Sequence, residues 1–133
     1  MFILSNHSIE NQILKNEILV YEISLLEPIF HITTEKEWKD CVDVNYYPNE
    51  FSNEGFIHFS TRKQLVDTAN RIFIKRDLLF ILEVEQEGLE IVYENLGGGV
   101  ELYPHLYKGL PIDKVNNQFI MNKNEEGIFH LNI

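Results

Sequence analysis

Apolar and polar residues change their spacing several times along this chain, and each change predicts a new element. Residues 8–20 carry apolar side chains at mostly helical intervals behind a candidate N-cap, Ser8, so they predict a helix. From residue 18 to residue 26 the apolar residues become nearly continuous, and this part also fits a strand, a choice that periodicity does not decide. Pro28 cannot donate to a sheet ladder, so we expect it to begin a separate strand.

A short strand and a helix are predicted directly after Pro28. The segment Ile29–Thr33 alternates with the period of a strand. Thr34 and Glu37 then form a capping box, which predicts a helix from residue 35 to about residue 42. Residues 45–53 combine proline, asparagine and tyrosine, so they predict an ordered loop that can close over a site.

The strand predicted at residues 56–59 carries more candidate chemistry than any other stretch. Period-2 alternation sends Phe56 and His58 to one sheet face and Ile57 and Phe59 to the other. We therefore expect a histidine in a short buried strand just ahead of a helix N-terminus, which is a suitable place for a ligand.

The second half of the chain predicts one helix and several strands. Thr61 and Gln64 form a second capping box, ahead of a helix that ends near residue 73. Residues 77–85 are almost continuously apolar, which is typical of a central strand covered on both faces. Further strands are predicted at residues 89–95, 101–107, 115–121 and 128–131. Together these elements predict an α+β domain.

Composition limits the classes of function. A chain of 133 residues fits one domain, and 44% apolar with 24% charged residues is typical of a globular one. Twenty-one acidic residues against eleven basic ones give a formal charge of −10. Such a charge repels a phosphate backbone, so we expect no nucleic-acid partner.

Cysteine content and hydropathy indicate the compartment. Cys41 is the single cysteine, so an internal disulfide and a cysteine-based zinc site are excluded, and a reducing, cytoplasmic setting is expected. The first residues lack the basic and long apolar regions of a secretory signal. No run approaches the roughly 18 apolar residues of a membrane span, so no membrane association is expected.

Three of the five histidines, His31, His58 and His105, lie in or beside strand-like, aromatic-rich segments. Each one alone is most simply a half-buried histidine with a satisfied hydrogen bond. Together they can converge on one cleft. Neither an H-x-H nor an H-x-x-x-H pair is present, so we expect no metal site.

Carboxylates and glycines near these histidines add to the candidate site. Glu54, Glu94 and Glu101 stand next to the histidine-bearing segments, and any of them can hold an imidazole or a sugar hydroxyl. Gly97–Gly99 leads toward a strand rather than into a helix, so it predicts a hairpin loop or a flap over the site, not a phosphate cradle.

Several strings of residues resemble a small bacterial family of unknown function, the DUF952 family. The resemblance runs from Ile29 to about Leu131, and its strings E-G-F-I-H-x-S and P-H-L-Y make it specific. The matching pieces are Ile29–Thr33, Trp38, Glu54–Ser60, Gln64, Ala69–Phe73, Asp77–Leu78 and Tyr103–Tyr107. Residues 1–27 lie outside it, so we expect a helical N-terminal extension over 1–27 and a DUF952-like domain over 28–133.

The DUF952 family is in turn similar to the ADP-ribosyltransferase fold. This similarity implies a single α+β domain with a split, mostly antiparallel sheet and two to three helices. Those enzymes carry H-x-T on a first strand, which His31–Thr33 resembles. They then carry G-x-Y or G-x-H, a small polar residue and an Ala-Asn helix. Gly55–Ser60 with Ala69–Asn70 resembles this second element, with histidine in place of tyrosine and one extra residue after the glycine.

The same similarity implies NAD as the ligand and substrate. The implied cofactor-binding residues are His31, Thr33, Gly55, His58, Ser60 and Asn70. The implied reaction breaks the nicotinamide–ribose bond through an oxocarbenium-like state, which a carboxylate on the ribose hydroxyl stabilises. His31 would hydrogen-bond a ribose hydroxyl of NAD, and Ser60 would bind near the same ribose. His58, as a catalytic residue, would pack its ring against nicotinamide. No glutamate stands clearly at the expected strand, so Glu101 is the nearest candidate for the carboxylate, with His105 as its competitor.

Two other classes of function stay open beside NAD cleavage. A non-catalytic module can use the same histidine-lined cleft to bind a small metabolite or a protein segment, and an unrelated histidine-assisted hydrolase is the third alternative. Convergence of the three histidines beside a carboxylate favours catalysis, whereas histidines on different faces remove the reason for it.

Overall fold

The computed structural model of the chain describes residues 27–131. The helix and strand predicted within residues 8–26 lie outside this part, as does the extension that would contain them. In chain order the elements are β1 (Ile29–Thr33), α1 (Glu35–Lys39), β2 (Asn45–Tyr46), α2 (Phe51–Glu54), β3 (Ile57–His58), β4 (Ser60–Thr61), α3 (Arg62–Ile72), β5 (Leu78–Val84), β6 (Ile91–Glu94), β7 (Tyr103–Leu106), β8 (Leu110–Pro111), a 3₁₀ turn (Ile112–Lys114) and β9 (Val115–Asn122).

The strands form two larger sheets and a small ribbon. The first sheet has the order β4-β1-β5-β9, the second has the order β3-β7-β6, and β2 pairs with β8. Every strand pair within the described residues is antiparallel. The predicted α+β domain with a mostly antiparallel sheet and three helices is therefore confirmed, while its likeness to the ADP-ribosyltransferase fold stays a prediction.

Strand β5 lies in the interior of the first sheet, as its apolar run predicts. Alternation divides its side chains between two cores: Phe80 and Leu82 join one apolar cluster, and Leu79 and Ile81 join the other. The second cluster also holds residues from the buried side of α3. Because both faces of β5 are covered, its nearly uniform hydrophobicity is explained by burial.

The predicted capping box at Thr61 forms, but the one at Thr34 forms only in part, because the Glu37 carboxylate accepts from Thr33 and from the Asn49 backbone N–H instead. The first helix is also shorter than predicted. Thr34 accepts a hydrogen bond from the Glu37 backbone N–H, and the reciprocal Thr61 and Gln64 bonds begin α3. Helix α1 ends at Lys39 rather than near residue 42. Asp40 is its C-cap, and β2 begins five residues later at Asn45.

Residues 45–53 are not a simple loop, which corrects the prediction made from their composition. Tyr46 in β2 is completely buried and lies opposite Leu110 of β8. The helical turn α2 then ends at Gly55, whose φ of +80° suits glycine. Burial of one large aromatic side chain thus outweighs the turn-forming residues around it.

Two further predictions concern the edges of the fold. Gly97–Gly99 lies in the connection between the paired strands β6 and β7, so the predicted hairpin loop is confirmed. The predicted strand at residues 128–131 is reduced to a single bridge between Lys123 and Phe129. None of the helices in the described part is long and apolar enough to cross a membrane.

Candidate functional site

Strand register brings His58 and His105 side by side. The two residues are directly opposite partners in the β3–β7 pair, and their ring centroids lie 5.2 Å apart at an interplanar angle of 86°. The Phe56 ring contacts both, with centroid distances of 4.7 Å to His58 and 4.4 Å to His105. Phe56 and His58 therefore share a face, while Ile57 and Phe59 enter the core, as alternation predicts.

His105 is buried and held by a carboxylate. Its side chain is 5% exposed, and its Nδ1 lies 2.8 Å from Oε2 of Glu94. The Tyr107 hydroxyl donates to the same oxygen. The hydrogen bonds from Tyr107 and then His105 lower the pKa of Glu94, and the bond to Glu94 raises the pKa of Tyr107. An ionised Glu94 accepts the Nδ1–H, so the Nε2 of a neutral His105 is a hydrogen-bond acceptor.

His58 is held in the same manner but is far more exposed. The Nε2 of His58 lies 2.7 Å from Oε2 of Glu54, and the His58 side chain is 54% exposed. The sequence predicted a buried strand here, and Ile57 is buried, but the His58 imidazole is not. The bond to His58 lowers the pKa of Glu54, while a hydrogen bond to Glu54 raises the pKa of Glu50. Two carboxyl groups and one imidazole thus form a hydrogen-bonded row.

A cleft of about 350 Å³ lies beside these histidines. It runs between α3, the face of β1 that carries Phe30 and Ile32, and the β6–β7 hairpin. The remaining lining residues are Glu50, His58, Phe59, Ser60, Thr68, Arg71, Ile72, Phe73, Glu94, Asn95, Leu96, Gly97, Tyr103 and His105. A mostly apolar wall with a few converging polar groups is typical of a small-molecule site.

His31 lies next to the cleft but does not line it. Its Nδ1 is 2.7 Å from the backbone carbonyl of His58, and its Nε2 is 3.2 Å from the Tyr46 hydroxyl. Burial lowers the pKa of His31 to about 4. Alternation along β1 turns His31 away from Phe30 and Ile32, which face the cleft. Two of the three predicted histidines therefore converge on the cleft, and the third supports one of them through the backbone.

The other predicted binding residues divide between the cleft and its support. Ser60 lines the cleft, and its hydroxyl donates to Thr68 at 3.2 Å. Thr33 is buried, with Oγ1 2.9 Å from the Tyr46 hydroxyl. Gly55 forms the turn between α2 and β3.

Asn70 and Glu101 lie outside the lining of the cleft. The Asn70 amide donates to the carbonyls of Val66 and Phe129 and accepts from the Phe129 backbone N–H. Glu101 accepts a hydrogen bond from Gln64 Nε2 at 3.1 Å. In this arrangement both residues make structural contacts.

Sequence reasoning missed three members of the site. Glu50 and Arg71 line the cleft, and Tyr107 shares Glu94 with His105. The spacing of four residues between Glu50 and Glu54 was a usable signal, because one helical turn places such residues on one side. His58 lies in β3, beyond the turn at Gly55, so helical spacing does not explain its contact with Glu54. Within residues 27–131, no group of three His, Cys, Asp or Glu side chains is placed to hold a metal ion.

Solved structures similar to this chain come from Caulobacter crescentus. The crystal structure of protein CC0527 has a TM-score of 0.68 and 27% sequence identity, over 77% of this chain and 93% of that one. The solution NMR structure of CC0527 has a TM-score of 0.66 and 28% identity, over 76% of this chain and 90% of that one. No curated protein matches the chain. The model of a protein family of unknown function, DUF952, matches residues 32–118, so the chain belongs to the DUF952 family.

Proposed function

We propose that the cleft binds a nicotinamide nucleotide such as NAD and breaks its nicotinamide–ribose bond. The observation that carries the proposal is the pair of imidazoles, His58 and His105, 5.2 Å apart on the cleft wall, each hydrogen-bonded to its own carboxylate. Histidine–carboxylate pairs in a small, largely apolar pocket are typical of sites that transfer protons and stabilise charge.

In this reaction the leaving group needs no help from the protein, and the main task of the site is to stabilise charge on the ribose. When the bond from ribose C1′ to the pyridinium nitrogen breaks, its electron pair goes to nicotinamide, which leaves as a neutral molecule. The ribose gains positive charge, so a nearby carboxylate stabilises the transition state. Glu94 and Glu50 line the cleft and can supply that carboxylate. Glu94 is the better candidate because its pKa is lowered and it is therefore ionised at neutral pH.

The group that accepts ribose must lose a proton. A water molecule attacking C1′ gives ribose hydroxyl and one proton, and the Nε2 lone pair of a neutral His105 can take it. Glu94 fixes the tautomer that keeps this lone pair available. In this proposal His58 contacts the nicotinamide ring, Ser60 binds the ribose, and His31, Thr33, Gly55 and Asn70 hold the surrounding strands and turns.

A non-catalytic binding module is the second candidate. Two observations favour it: the cleft lining is mostly apolar, and Glu101, the carboxylate expected from the sequence, makes its contact with Gln64 outside the lining. Such a module would use the same cleft and histidines to bind a small metabolite without turnover.

The test is incubation with NAD, followed by measurement of free nicotinamide and of thermal stabilisation. Release by the wild type that falls roughly 100-fold or more in Glu94→Gln supports catalysis. Glu125→Gln, in an exposed turn, is the charge-matched control and should behave as the wild type. Loss of release in Glu101→Gln but not in Glu94→Gln would return the catalytic role to Glu101.

The same experiment separates the two candidates. Stabilisation by NAD that His58→Ala abolishes, without nicotinamide release, supports the binding module. Absence of both release and stabilisation would refute NAD as the ligand.

A further inference from the structure

The charged side chains around the cleft are mainly acidic. Glu50 and Glu94 line it, and Glu54 lies behind His58. Among the described residues that line the cleft, Arg71 is the one permanent cation. Its Nε lies 3.3 Å from Asp67, and its Nη2 donates to the Tyr103 hydroxyl at 3.2 Å. The only lining guanidinium is thus already paired with a carboxylate.

The His105 imidazole on the cleft wall adds a polar atom that makes no hydrogen bond within the described residues. His105 uses Nδ1 for Glu94, and Nε2 makes no hydrogen bond within residues 27–131 although the side chain is 95% buried. Nε2 is still accessible from the cleft, because the buried side-chain nitrogen without a partner in the described residues is His130 Nδ1, so a ligand that brings a hydroxyl or N–H donor can bond to it. Ribose hydroxyls are such donors.

Aromatic rings in the lining are also suited to a cation. Phe30, Phe59, Phe73 and Tyr103 line the cleft. Phe30 already has the Arg62 guanidinium 5.1 Å from its ring centroid, and Arg76 stands at the same distance from Phe73. Neither arginine lines the cleft. A planar cation between aromatic rings and carboxylates gains from both.

The volume of the cleft independently limits the size of the ligand that it can enclose. Small-molecule pockets range from about 300 to 1,000 Å³, and this cleft, at about 350 Å³, lies near the lower end. It is large enough for a nucleoside. A dinucleotide would leave its adenosine half and its diphosphate outside the cleft, in the field of a chain with formal charge −10.

Resting on the proposed function, we infer that the site takes a cationic pyridinium nucleoside, nicotinamide riboside, in preference to NAD. The pyridinium charge is attracted by Glu50 and Glu94, the ribose brings donors to His105, and the riboside lacks the diphosphate that these carboxylates repel. Cleavage would release neutral nicotinamide and ribose, with water as the acceptor.

Binding and cleavage are measured separately for three compounds: nicotinamide riboside, its 5′-phosphate and NAD. Isothermal titration calorimetry should give the tightest binding for the riboside, about tenfold or more tighter than for NAD. Raising the salt from about 50 to about 300 mM should weaken riboside binding and strengthen NAD binding, because screening reduces both attraction and repulsion. NAD binding that equals or exceeds riboside binding, or no riboside binding at all, overturns the inference.

A charge variant tests the cause. Glu50→Gln should lower riboside affinity severalfold and raise NAD affinity, whereas Glu125→Gln should leave the order of the three compounds unchanged. Equal effects of the two variants would overturn the role of the cleft carboxylates. The outcomes for the two proposals differ: tight riboside binding without nicotinamide release refutes cleavage but not the ligand class, and release that is fastest from NAD refutes the ligand class but not cleavage.

Discussion

The buried imidazole of His31 should make the free energy of unfolding depend on pH. Burial lowers its pKa from 6.5 to about 4 in the folded protein. Between these values the unfolded chain binds a proton that the folded chain does not, so acid favours unfolding. The stability that depends on a neutral His31 is fully present above about pH 6.5, decreases as the pH falls, and is lost by about pH 4.

The magnitude follows from the two pKa values. A fall from 6.5 to about 4 corresponds to about 3 kcal/mol in total, of which about 2 kcal/mol is already lost at about pH 5. Glu54 and Glu94 have lowered pKa values, so the folded protein also loses stability as these two carboxylates become protonated. A comparison with a variant is therefore needed to isolate the histidine.

His31→Asn is the suitable variant. Its amide does not titrate and can still donate toward the carbonyl of His58, which now accepts from Nδ1. Urea unfolding of both proteins between about pH 7.5 and about pH 5 should show the wild type losing about 2 kcal/mol more than the variant. Parallel stability curves would refute the argument, as would an NMR titration in which the His31 ring protonates near its ordinary pKa.

Two further substitutions test the contacts that support the cleft. Tyr46→Phe removes a hydroxyl that is 2.9 Å from Thr33 Oγ1, so urea unfolding should show that the free energy of unfolding falls by about 1–3 kcal/mol. An unchanged free energy of unfolding would mean that water replaces the hydroxyl. Asn70→Asp removes the amide donor to the Phe129 carbonyl, so thermal unfolding should move to lower temperature by the equivalent of about 1–3 kcal/mol. The affinity for the riboside should stay unchanged. A loss of affinity without a loss of stability would instead make Asn70 a ligand-binding residue.

Local patterns in the sequence were sufficient for the elements that hold the site. The alternation at residues 56–59 correctly placed Phe56 and His58 on one face, because a side-chain period of two is a property of any strand. The apolar run at residues 77–85 correctly predicted a central strand. Both predictions depend only on neighbours in the chain.

Pairing between distant segments was beyond those patterns. Glu94 and Glu101 both stand near His105 in sequence, and composition does not rank them. The register of the β6–β7 pair decides which carboxylate contacts His105. Val92 lies opposite His105, so Glu94 follows on the same face of β6. Glu101 precedes the start of β7 and bonds to Gln64. The buried position of Tyr46 likewise depends on β8, more than sixty residues later.

The two cleft histidines have different freedom, which constrains their roles. His105 is 5% exposed, and a carboxylate fixes its ring, so it can present one nitrogen in a constant direction. His58 is 54% exposed, and its partner Glu54 also bonds to Glu50, so its ring can change partners when a ligand enters. The backbone of His58 cannot move as easily, because His31 holds its carbonyl from the opposite side. In the proposed reaction, this difference suits His105 to be the fixed base and His58 to be the adaptable contact residue.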